Sequence, residues 1–237
     1  MGIRALLALA VVVLVVGCSI VDSDQVSPDT VYMTWWGQYS EDQARMEWTA
    51  TYFVGGSDGT YLELTGRSGS NVNGDEMIAN HGILNTIDYE WSRVFPQASS
   101  PQQTYTLEYT DTAGKNYVNS ASLPPRPTVD PRQNTHVSLS AGTYDASWIT
   151  ASPVGGNDSL QATISMNGVT VTSYDDDPAG SSGKLRFSRD QLAQLKTGNA
   201  RLRVCVSRSG SLAETPPKGG SMHVSYCSQS TGLKIDF

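Results

Sequence analysis

Apolar and polar positions alternate along most of this chain, and the alternation predicts strands. From residue 31, Val31, Met33 and Trp35 fall on one face and Tyr32, Thr34 and Trp36 on the other, which is the period of two of a pleated strand. Both faces are fairly apolar, so this strand is expected to be well covered or to lie beside a binding surface. Further strands are predicted at 45–54, 60–65, 89–95, 104–109 and 117–121, with turn residues at 55–59 and 111–114 between them. Residues 77–87 hold several apolar side chains, but Gly82 and the asparagines spoil a helix and leave that segment irregular or a single helical turn.

The pattern is sharper in the second half. Leu160, Ala162, Ile164 and Met166 alternate, Asn167-Gly168 supplies a two-residue turn, and Val169 and Val171 return. A type I′ hairpin pairs Met166 with Val169 and Ile164 with Val171, turning all four toward one core. Ser188 and Gln191 have the spacing of a capping box, with Phe187 and Leu192 placed as a staple. Lys196 and Gly198 close a helix of barely two turns. In 201–208, Leu202, Val204 and Val206 form the apolar face and Cys205 points the other way; in 221–227, Met222, Val224 and Tyr226 do so and Cys227 points away. On neighbouring antiparallel strands the two thiols would share the outer face, a geometry for a cross-strand disulfide that stabilises by about 3 kcal/mol through chain entropy.

Two stretches break the alternation. Residues 122–131 contain Pro124, Pro125, Pro127 and Pro131, and proline neither donates to nor threads a central strand. This is the expected domain boundary, read as a stiff spacer. At the amino terminus, residues 5–16 are an unbroken apolar run after a single basic residue, Arg4, and end in Gly17-Cys18. The run is too short for a membrane span, which needs roughly 20 residues, and it fits a secretory signal. Val15-Val16-Gly17-Cys18 resembles the lipobox of bacterial lipoproteins. That resemblance implies a diacylglycerol thioether on Cys18, cleavage after Gly17, and acylation of the new amino terminus. Two or more acyl chains, at about 0.8 kcal/mol per buried CH₂, make attachment stable. By the same resemblance, Ser19 after the cysteine favours an outer over an inner membrane. Polar, acidic residues 18–29 then read as a lipidated tether.

Trp48-x5-Val54-Gly55-Gly56-Ser57-Asp58 recurs as Trp148-x5-Val154-Gly155-Gly156-Asn157-Asp158, as two tandem copies of one β unit would. Strand number, turn spacing, a tryptophan on an early strand and a short helix late in the chain resemble immunoglobulin-like sandwiches, without the Cys…Trp…Cys spacing of true immunoglobulin domains. The expected architecture is all-β: two tandem immunoglobulin-like β-sandwich domains after a lipoprotein signal peptide. The divisions are signal peptide 1–17, tether 18–29, first sandwich 30–123, proline-rich linker 124–131 and second sandwich 132–237. Each half is expected to close its own sandwich, with residues 130–237 able to fold alone and Trp48 and Trp148 in equivalent buried positions.

Composition narrows the function. A formal net charge of −7 argues against nucleic acid and against adsorption to anionic headgroups. Of the three cysteines, Cys18 goes to lipid; the remaining pair suits an oxidising compartment and cannot by itself fill a zinc site. Gly55-Gly56-Ser57-Asp58-Gly59 matches a nucleophile elbow, but the strand-like residues that follow favour a turn. Ser181-x-x-Lys184 and Lys196-Thr197-Gly198 lie too close together to serve as penicillin-binding-protein motifs, and His81, His136 and His223 share no ligand spacing. Asp175-Asp176-Asp177 reads as a solvated acidic loop, with calcium as the other reading. No catalytic residue, metal or cofactor is expected. Trp35, Trp36 and Tyr39 are candidates for an aromatic platform that would hold a sugar or peptide. Two functions follow: a lipid-anchored, non-catalytic envelope protein acting as a structural or protein-interaction module, or a carbohydrate- or peptide-binding envelope lipoprotein. Its expected partners are the membrane, through lipidated Cys18, and an envelope protein or glycan.

Overall fold

A computed structural model describes residues 19–95 and 101–237, and in it the alternating segments become strands. The first part of the chain gives β1 (Ile20–Asp22), β2 (Val31–Ser40), β3 (Arg45–Val54), β4 (Thr60–Glu63), β5 (Gly69–Val72) and β6 (Asp75–Glu76). Next come β7 (Ile78–His81), β8 (Ile87–Val94), β9 (Thr104–Thr110) and β10 (Asn116–Ser122). The second part gives β11 (Pro127–Val129), β12 (His136–Ser138), β13 (Tyr144–Val154), β14 (Asp158–Met166), β15 (Val169–Asp175) and β16 (Gly180–Phe187). After a short helix, α1 (Arg189–Leu192), come β17 (Gly198–Ser211), β18 (Gly220–Cys227) and β19 (Thr231–Asp236). Residues 77–87 thus enter a β7–β8 hairpin instead of an irregular segment.

These strands form an all-β, sandwich-type fold from one large sheet and two small ones. The large sheet runs β1-β4-β3-β2-β18-β17-β14-β15, with β8 and β7 alongside β3 and with β19 and β12 alongside β17. The small sheets are β10-β9-β5-β6 and β11-β13-β16. Two hydrophobic cores result. One gathers Trp35, Trp48, Tyr52, Tyr105 and Tyr109 with Leu212, Val224 and Tyr226 from the far end of the chain; the other gathers Trp148, Ile164, Phe187, Leu202 and Val206. Val206 stands directly opposite Tyr226 in the β17–β18 register, and opposed residues of an antiparallel pair share a face. Both cores therefore lie on one face of the large sheet.

The expectation that each half closes its own separate sandwich is corrected here. β2 and β18, from opposite sides of residue 127, pair in parallel from Gly220↔Met33 to Cys227↔Ser40. The physical cause is the length of β17. On one edge β17 pairs with β14 from Arg201 to Arg208; on its other edge it pairs first with β19, from Gly198 to Leu202, and then with β18, from Cys205 to Ser211. The β17–β18 hairpin is thus an arm that carries Leu212, Val224 and Tyr226 into the first core.

Two segments expected as spacers are structured. Pro127 opens β11, an edge strand paired with β13, as proline's missing donor allows, and Leu123, Pro124, Pro127 and Val129 are buried. The expected tether contains β1, which pairs in parallel with β4. Just beyond it, Ser23 is buried, accepts the Thr65 N–H at 2.8 Å and lies 2.5 Å from the Ser68 hydroxyl. Ser19 is all that separates Cys18 from the first strand.

Local signals formed as their chemistry dictates. Met166↔Val169 and Ile164↔Val171 pair across the turn, with Asn167 at φ 49° and Gly168 at φ 82°, the left-handed values of a type I′ turn. Val169, however, stays 40% exposed at the sheet's end and does not join the core. Ser188 and Gln191 form the reciprocal capping box, although the regular helix spans just Arg189–Leu192. The repeated tryptophans are locally alike. Trp48 faces Gly37 and Trp148 faces Gly183 in direct register, and a Cβ on either glycine would sit 2.6 Å or 2.9 Å from the ring it faces. Their surroundings differ, because β3 belongs to the large sheet and β13 to a small one. The expected equivalence stops at the ring-over-glycine contact.

Candidate functional site

The junction between the cores is held by polar contacts as well as by the sheet. Beyond β17, Asn119 Nδ2 donates to the Glu214 carbonyl at 2.8 Å and the Glu214 N–H returns to Asn119 Oδ1 at 2.9 Å. The Val118 N–H adds a bond to the Glu214 carboxylate at 2.8 Å, so the arm's tip is clasped by β10. At the arm's base, Glu41 accepts from Arg126 at 2.5 Å, from the Tyr226 hydroxyl at 3.0 Å and from the Gln229 N–H at 2.9 Å. Burial first, and then the Glu41 charge, push the Tyr226 hydroxyl well above its ordinary value. Asp42 accepts both the N–H and the hydroxyl of Ser230.

The disulfide closes the same base. Cys205 and Cys227 are directly opposed, bonded, with Cα atoms 4.1 Å apart. They share the face away from the cores, as the alternation requires, yet both are buried. The expected cross-strand staple is made, and it is covered, placed where the arm leaves the second core.

The three aromatics of the expected platform do not form one. Trp35 is buried edge-on to Tyr52 with ring centroids 6.4 Å apart, and Tyr39 is buried edge-on to Tyr226 at 4.9 Å. Trp36 alone of the three is open, at 54% exposure. The reason is parity: residues 35 and 39 point one way from a strand and residue 36 the other. Trp36 instead stacks on His223, its register partner across β2–β18, with centroids 3.9 Å apart and rings 24° from parallel. Ser209 Oγ lies 3.0 Å from His223 Nδ1. Cross-strand register adds a second aromatic row on this open face, with Tyr32 opposite Phe53 and Phe53 against Tyr61 at 5.1 Å. Thr34 and Thr51 lie between the two rows.

Burial pushes the His223 imidazole below its ordinary 6.5. A group with a depressed folded value adds protons more readily when unfolded, so its contribution is present above pH 6.5 and is lost as pH falls through the folded value. NMR titration should show His223 with a midpoint below 6.5, and His223→Gln should flatten that part of the stability profile.

The remaining sequence candidates are dispersed. Residues 55–59 form the turn from β3 into β4, with Gly55 at φ 96° and Gly56 at φ 141°; no helix follows Ser57, so no elbow is made. Asp177 N–H donates to Asp175 Oδ1 at 3.2 Å within the acidic loop. Among the described residues, no three His, Cys, Asp or Glu side chains gather as metal ligands. His81 lies beside Glu63 at 3.2 Å and His136 beside Asp236 at 3.7 Å, on different strands. Cys18 lies outside the described residues. Among those described, no helix is long and apolar enough to cross a membrane. Sequence reasoning missed His223 as Trp36's partner, since no local signal joins β2 to β18.

No protein-family model matches the chain, and no curated protein matches it. Similar solved structures include a tetra-tandem repeat from the extending region of a large adhesion protein. It is 16% identical with a TM-score of 0.26, covering 87% of this chain and 49% of that one. Another comes from a 1.5-MDa bacterial ice-binding adhesin, 15% identical with a TM-score of 0.26, covering 89% of this chain and 66% of that one. The chain thus spans about half to two thirds of their length. Likeness at that level says nothing about what this chain binds.

Proposed function

We propose that this chain is a lipid-anchored, non-catalytic protein of the cell envelope that serves as a rigid structural or protein-interaction module. The observation that carries the reading is the β17–β18 arm. It joins two cores through one continuous sheet and is clasped at its tip and stapled at its base. Such a body holds its surfaces at fixed separation. The anchor rests on Val15-Val16-Gly17-Cys18, and Ser19 in place of Asp points to the outer membrane. In mass spectra of the mature protein, the amino terminus should be an acylated Cys18, and Cys18→Ser should move the protein out of the membrane fraction. An unmodified Cys18 in the wild type would refute the anchor.

A second reading is favoured by Trp36. An open indole on a sheet face, flanked by Gln38 and Thr49 and stacked on His223, offers an apolar ring with polar neighbours, as sugar- or peptide-binding surfaces do. Trp36→Ala would then abolish retention on glycan or cell-wall material while leaving the fold intact. Equal retention of the two proteins would return the open face to the interaction-module reading.

A further inference from the structure

The β7–β8 hairpin ends in a turn of unusual chemistry. Turn positions ordinarily carry Gly, Asn, Asp, Pro or Ser. Here the Gly82 N–H bonds the Thr86 carbonyl at 2.9 Å and Asn85 takes φ 52°, while the tip presents Ile83, fully exposed, and Leu84, 78% exposed. Ile78 on the same hairpin is 75% exposed. Adjacent exposed aliphatics at a tip mark a contact surface.

Their place in the fold identifies the partner. β4 pairs Thr60 with Val54, and β1 enters beside it with Ile20 opposite Tyr61. The chain therefore arrives at the Val54 end of the large sheet. β8 pairs Tyr89 with Ala50, and Asp88 receives the Thr51 hydroxyl, so the residues before Ile87 lie toward that same end. The His81–Glu63 contact at 3.2 Å ties the hairpin to β4 there. In the sequence Cys18 stands two positions before Ile20, and at roughly 3.5 Å per residue the chain between them can reach no more than about 7 Å from β1.

We infer that the Ile83–Leu84 tip is a second membrane contact: it dips into the headgroup and acyl boundary beside the lipidated terminus and fixes the angle of the protein on the bilayer. The inference rests on the lipid anchor proposed above. Exposed Asp29 and Asp58 lie at the same end, so the contact is apolar insertion and does not depend on anionic lipid.

The test uses the mature lipidated protein in phosphatidylcholine vesicles. With Cys18 acylated and Cys205 joined to Cys227, Leu84→Cys supplies a single free thiol for an environment-sensitive dye. Val169→Cys supplies the control, on a turn roughly 40 Å away at about 3.3 Å per residue along the strands. On vesicles, the dye at 84 should shift to the blue and its quenching by aqueous iodide should fall about threefold or more, with no change at 169, as expected for side chains about 5–10 Å into the boundary. Adding anionic lipid should not increase the shift. Protein that floats with vesicles yet quenches equally at both positions would overturn the tip contact and leave the anchor standing. Protein that does not float would overturn both. Protection at 84 without vesicles would overturn the bilayer in favour of a second copy of the chain.

Discussion

Cutting the chain between Leu123 and Asp130 should leave neither half a stable monomer. Residues 19–123 would lose β18, turning ten-residue β2 into an open edge beside Trp35 and Tyr39, and long unpaired edges invite association. Residues 130–237 would keep the core around Trp148 and Phe187. They would, however, carry an arm whose Leu212, Val224 and Tyr226, buried in the intact chain, face water. Each such side chain loses about 1.5–3 kcal/mol of burial, against a typical total stability of about 5–15 kcal/mol. The first fragment should be unfolded or aggregated. The second should be β-rich but self-associating on size exclusion and should bind a hydrophobic dye, and the whole chain should melt in one transition. Two monomeric fragments, each melting where the whole chain does, would restore independent domains and make the arm a loose appendage.

The second large effect is expected at Arg208. Its Nε and Nη2 hold the two oxygens of Asp158 at 2.7 Å and 3.1 Å, and the Asp158 side chain is 2% exposed. Arg208→Ala leaves that carboxylate buried without its cation, which costs about 3–5 kcal/mol. The outer part of Arg208 reaches water, which places the loss toward the lower end. Arg208→Lys recovers little, because an ammonium cannot reproduce the two-pronged geometry. In urea, the midpoint should drop sharply for both, and Asp158→Ala combined with Arg208→Ala should lie above Arg208→Ala alone. A change below 1 kcal/mol for Arg208→Ala would show that the pair is solvated.

The same pair shows what the sequence could reveal. Asp58 and Asp158 occupy matched places in the repeated motif, yet Asp58 is exposed and Asp158 is buried beneath an arginine of the arm. Local signals were legible because their cause is local. Asn167-Gly168 fixes its turn by the dihedrals it tolerates, Ser188 and Gln191 cap three residues apart, and period-two alternation put Cys205 and Cys227 on one face. Parity also separates Trp35 from Trp36, so the three-aromatic platform contradicted the alternation that predicted its strand. Joining β2 to β18 was not legible. Parallel pairing between distant strands needs no turn, and a strand that is apolar on both faces announces cover without naming its source. Residues 77–87 misled for the opposite reason: Gly82 and the asparagines only spoil a helix when read locally, whereas Gly82 and Asn85 close a hairpin.

The pairing of β2 has a mechanical consequence. Ser19 leaves the body at the Val54 end of the large sheet. The carboxyl-terminal strand, with Ile235 opposite Gly198 at the start of β17, leaves at the other. Tension applied between the two ends runs along the strands. β1, gripped by three register positions, yields first. β2 follows, but it is flanked by β3 through ten opposed residues and by β18 through eight. Pulled lengthwise, those ladders must slide as a block, with every bond strained at once, and cannot peel open one bond at a time. The strand that the sequence marked as apolar on both sides is therefore the one that resists extension, and the covered Cys205–Cys227 bond keeps its neighbour from being drawn out with it.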